Sequence, residues 1–138
     1  MTKLLLFLGL LISFSATSGI SIIVHPSNPW TIDNNDISTI SKVFLGKSKS
    51  FDDSLIAIPI NLSEENPNRI AFEKSVLNKS ANQMKAYWSK LVFTGKGTPP
   101  QEINDETELV KLVSKNPNLI AYVDDELVNE QVKVIATF

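Results

Sequence analysis

Apolar positions fall into two alternating kinds of run along this chain. Ser21 to Val24, Leu55 to Ile60 and Leu119 to Val123 are short, nearly continuous apolar stretches bounded by Pro, Asn, Asp or Ser, the pattern of strands covered on both faces. A final strand ending at Phe138 is marked by Val132, Val134 and Ala136 at every second position. Between these runs the spacing lengthens to three and four. Ile37, Ile40, Val43 and Phe44 follow the capping residues Asn34, Asn35 and Asp36, and Gly46 stops that helix. Ile70, Phe72, Val76 and Leu77 mark a second helix, ending near Asn78. Ser80 with Gln83 opens a third through a capping box, with Met84, Trp88, Leu91 and Val92 on one face and Gly95 at its end. Asp105 with Glu108 opens a fourth, its buried stripe Leu109, Leu112 and Val113. The predicted order is β-α-β-α-α-α-β-β, an α/β class with helices on both faces of a mixed sheet of four to five strands.

The chain's N-terminus has a different character. Lys3, the apolar run from Leu4 to Ile12, and the small residues Ala16 and Ser18 read as a secretory signal peptide over residues 1–18, leaving one domain over 19–138. Nine residues fall well short of the roughly 20 that a membrane-spanning helix needs. The expected location is the periplasm, and the chain contains no cysteine for a disulfide or for lipid attachment. A formal net charge of −2 offers no overall basic character for nucleic acid, and none for electrostatic attachment to a membrane surface.

Candidate chemistry is thin. One histidine and no cysteine exclude a Cys/His nucleophile pair and a Cys/His zinc site. His25 lies between a strand and Pro26, and no G-x-S-x-G elbow accompanies it, so it reads as a strand-end residue. GKS at 46–48 and GKGT at 95–98 follow helices and lack the spacing of a phosphate loop, so they read as helix stops with solvated lysines. Asp124, Asp125 and Glu126 read as a turn, not a cation cage. No catalytic residue, metal site or cofactor is expected, and the chain is not read as an enzyme.

VHPSNPWTIDNNDISTISKVFLGKSKSFDD, NRIAFEKSVL, the Tyr87–Trp88 pair and NPNLIAYVD together resemble the phosphate-binding proteins of ABC transporters over residues 22 to about 135. The resemblance implies a single lobe of a type 2 periplasmic-binding fold, in a family whose two lobes close on an anion. In that family an arginine and a Ser-Gly-Thr opening a helix hold the anion ahead of a phenylalanine. Anchored on Arg69 and Phe72, this chain has Asn66, Pro67 and Asn68 in place of the Ser-Gly-Thr, and Leu62 in place of the arginine. The site implied by the resemblance is Asn66, Asn68 and Arg69.

The residues themselves modify that picture. Asn66 as N-cap uses one backbone donor, Pro67 removes another, and Glu64 and Glu65 oppose a dianion while offering Arg69 a partner. Two functions therefore stand side by side. One is a periplasmic solute-binding-like protein for a small anion such as phosphate, its second wall supplied by a homodimer or a partner. The other is a non-transporting interaction domain that has lost anion binding and meets a membrane transporter or another periplasmic protein.

Overall fold

The computed structural model describes residues 19–31, 37–52 and 54–138. The expected signal peptide and the capping residues Asn34, Asn35 and Asp36 lie outside them. Five strands form one sheet: β1 (Ile20–Val24), β2 (Ile58–Asn61), β3 (Gln101–Glu102), β4 (Leu119–Asp124) and β5 (Lys133–Thr137). Helices α1 (Ile37–Phe44), α2 (Pro67–Ser75), α3 (Ala81–Phe93) and α4 (Glu106–Val113) complete the domain, with a 3-10 turn at Asp125–Leu127.

The spatial order is β3-β2-β4-β1-β5. β2 runs parallel to β3 and β4, and β1 runs antiparallel to both β4 and β5, so β1 alone is reversed. From β2 the chain crosses through α2 and α3 to β3 at the sheet edge, and from β3 it returns through α4 to β4 in the opposite direction. Right-handed crossovers in opposite directions place their helices on opposite faces. α2 and α3 therefore cover one face and α4 the other. Full burial of Ile22, Ile23, Val24 and of Ile120, Ala121, Tyr122, Val123 is the consequence, because successive strand side chains point to opposite faces. On the α2 face, Phe72 stacks on Tyr122 at 3.9 Å between ring centroids, and Phe44 from α1 meets Phe72 edge-on at 4.7 Å.

The predicted order holds, with β3 added between α3 and α4. Two residues are too few to show a period, and β3 exists because Gln101 and Glu102 pair with Ile60 and Asn61. One boundary and three faces differ from expectation. β2 begins at Ile58 rather than Leu55: the Asp52 carboxylate accepts from the amides of Ser54 and Leu55, and this turn holds Ile56 in an isolated bridge to Ser50. In β5, Val134 is exposed although the alternation predicts it inward. There the register passes from Ile22↔Ala136 to Ile23↔Val134, so Ile135 is the extra residue of a bulge that resets the alternation. Ile70 and Val92, predicted on buried helix stripes, are exposed.

Candidate functional site

The connections leaving the carboxyl ends of β2 and β4 run in opposite directions across the sheet. Such a reversal opens a crevice outside the strand ends, the usual place for a ligand in an α/β sheet. Here it lies between Asn61–Leu62 and Asp124, and the starts of α2 and α4 face it.

α2 begins as the residue types dictate. Asn66 is its N-cap, the side chain accepting from the Asn68 amide at 2.9 Å, and Pro67 stands at the first helical position. Asn68 turns its side-chain amide the other way, donating to both carboxylate oxygens of Glu106 at 3.0 and 3.2 Å. Glu106 opens α4 behind the N-cap Asp105, and its Oε1 also accepts from the Asp124 amide at 2.8 Å. One carboxylate thus ties α2, α4 and the end of β4 together across the crevice. Asn66 Nδ2 adds a contact to Asn104 at 3.4 Å.

Arg69 points beneath this layer. It is 7% exposed, and its Nε donates to Glu73 at 2.7 Å while Nη1 donates to the Leu62 carbonyl at 2.7 Å and to Glu102 at 2.6 Å. The expected pairing with Glu64 and Glu65 is replaced by this one: Glu73 lies one helical turn on, at i+4, and β3 brings Glu102 to the same place. Glu64 instead pairs with Lys85 at 3.5 Å. Burial works against the Arg69 charge, but the bonds to Glu73 and Glu102 outweigh it and hold its pKa above the ordinary value. Leu62 is fully buried, and its amide meets the Tyr122 hydroxyl and Asn61 Oδ1, themselves joined by a short hydrogen bond.

Beside Arg69 an open cavity of about 440 Å³ is lined by Glu64, Glu65, Glu73 and Glu102 against the cations Arg69 and Lys85. Its acids outnumber its bases, so it repels a dianion more than it attracts one. Among the described residues no cluster of three or more acids or histidines suits a metal ion.

Asn66, Asn68 and Arg69 thus lie together at the start of α2, and each makes side-chain hydrogen bonds within the protein. Sequence reasoning missed Glu73, Glu102 and Glu106. Glu73 was within reach, as an i+4 partner on the same helix; Glu106, separated by 38 positions from Asn68, carries no local signal. His25 Nδ1 accepts from the Ser27 amide at 3.0 Å, Asp124 caps the 3-10 turn, and Asp125 accepts a short hydrogen bond from Ser21 on β1. Trp88 is buried.

No protein-family model matches this chain, and no curated protein matches it. Solved structures do. A protein assigned as a phosphate ABC transporter substrate-binding protein, solved with bound phosphate, from Clostridium perfringens superposes with a TM-score of 0.66 at 20% identity, covering 86% of this chain and 44% of its own. An ABC-type phosphate transport receptor from Vibrio cholerae gives 0.64 at 15% identity, covering 86% and 45%, and PstS from Borrelia burgdorferi gives 0.63 at 13%, covering 86% and 47%. The chain spans less than half the length of these proteins. Its fold is that of one lobe of a periplasmic-binding protein, on the pattern of the phosphate ABC transporter substrate-binding proteins.

Proposed function

We propose that this chain is an extracytoplasmic lobe of the solute-binding type that has given up anion binding at its strand-end crevice and acts through its surface, on a membrane transporter or another envelope protein. The observation that carries this reading is Glu106. Its carboxylate takes the Asp124 amide and the Asn68 side chain, donors that a ligand anion at this crevice would use. Arg69, the nearest cation to the α2 start, is committed to Glu73 and Glu102. A bound dianion would have to displace one carboxylate and approach four others.

A second reading keeps phosphate as ligand, held by Asn66, Asn68 and Arg69 with a second wall from a homodimer or partner. It is supported by the crevice itself, by the helix start that faces it, and by the phosphate bound in the Clostridium perfringens neighbour. Isothermal titration separates the two. No saturable heat with inorganic phosphate up to millimolar concentration is expected; a dissociation constant in the micromolar range would establish the second reading and remove the first. The signal peptide over 1–18 and a periplasmic location complete the proposal, and mass determination of the protein purified from its native envelope tests both.

A further inference from the structure

Net charge conceals how the charges of this chain are distributed. From Lys74 to Gln101 there are five lysines and no acid, and from Ile37 to Phe51 three lysines and no acid. The fold brings these two segments together. Tyr87 of α3 donates to the Leu45 carbonyl at 2.6 Å, joining α3 to the turn after α1. Lys47 and Lys49 then line one side of a shallow concavity of about 670 Å³ and Lys96 the other, with Val92 on its wall. Among the described residues that line it, none is acidic. Lys90 is exposed on the same helix, and Lys79 lies over the Tyr87 ring at 5.6 Å.

At the end of α3 stands Phe93, 93% exposed, beside Val92 at 54%. Nothing in helix formation requires an apolar pair there, and water is a poor environment for it. We propose that the C-terminal end of α3 docks on a membrane surface rich in anionic lipid headgroups, with Phe93 entering the headgroup layer, Lys90 one turn before it on the helix, Lys96 three residues after it, and Lys47 and Lys49 on the concavity that α3 borders. Several observations favour lipid over an acidic polypeptide. The apolar part is two protruding side chains, far less than the buried centre of a stable protein interface. The cations are all lysines, which protein interfaces disfavour, and the chain's one arginine is buried elsewhere. An exposed aromatic at the end of a lysine-bearing helix is instead what an anionic bilayer surface accepts. The low overall basicity that argued against membrane attachment is an average over two oppositely charged regions.

The test is co-sedimentation of the full chain with vesicles of equal parts phosphatidylglycerol and phosphatidylcholine, against vesicles of phosphatidylcholine alone. Wild type, Phe93→Ser and Lys96→Gln share one background, so any contribution of residues 1–18 cancels. Both side chains are exposed, and circular dichroism of the variants should match wild type. On anionic vesicles at low salt, Lys96→Gln should bind roughly fivefold more weakly and Phe93→Ser roughly tenfold, while on neutral vesicles the three proteins should be alike. Equal binding of all three to anionic vesicles overturns the proposal. So does capture by a poly-glutamate peptide, lost in Lys96→Gln, with no variant effect on vesicles; that outcome assigns the surface to an acidic polypeptide.

Discussion

Arg69 and Glu73 are 7% and 2% exposed and pair at 2.7 Å. Removing one partner of such a pair strands the other in the interior. Arg69→Ala is therefore expected to lower unfolding free energy by about 3–5 kcal/mol, measured by urea denaturation, whereas Arg69→Met combined with Glu73→Leu should come close to wild type. A loss below about 1 kcal/mol in the single variant would show that the pair is not held as described. Tyr122 provides the pH dependence. Burial pushes its phenol above the ordinary value of 10.0, the Leu62 amide and Arg69 opposing the shift. A group whose pKa is raised on folding contributes stability that is complete below its unfolded pKa and is lost as pH rises through and beyond it. Stability should thus fall above pH 10, and Tyr122→Phe should flatten that fall. A smaller slope should persist from Tyr87, which burial shifts the same way.

Among elements, the start of α4 does more than begin a helix. Asp105 caps it through the amides of Thr107 and Glu108, and the cap fixes Glu106 where it reaches α2 and β4. Glu106→Ala should cost about 1–3 kcal/mol and speed hydrogen exchange at the Asp124 amide. Unchanged exchange there would mean that the carboxylate does not bridge the elements. The same elements show what a sequence can disclose. Several caps and stripe positions were legible from local information: Ser80 with Gln83, Asn66 with Pro67, and Met84 with Trp88 are found as read, whereas Ile70 and Val92 on the same helical spacing are exposed. Features that depend on a distant partner were not. β3 exists only by pairing with β2, the β5 bulge only by its register against β1, and the Glu106 tie only because α2 and α4 start side by side. Asn66, Asn68 and Arg69 could be placed together from one helix start, but their partners lie 33 to 38 positions away or on the inner face of the helix.

For the molecule as a whole, topology and charge give separate answers. The strand order opens a crevice outside the strand ends, and the chain's own carboxylates and amides bond to one another across it. Acids gather around the crevice and its neighbouring cavity, while lysines border the concavity beside α3. On the proposed reading an anion meets more acids than bases beside the crevice, and attraction for anions belongs to the lysine-bearing surface. The most direct test is a residue-resolved NMR titration of the isotope-labelled protein with inorganic phosphate, following the backbone amides of Asn68, Arg69 and Asp124 and the side-chain amide of Asn68. With the crevice already satisfied by Glu106, these signals should stay in place up to millimolar phosphate; saturable shifts of the same signals, abolished in Asn68→Ala, would contradict the account.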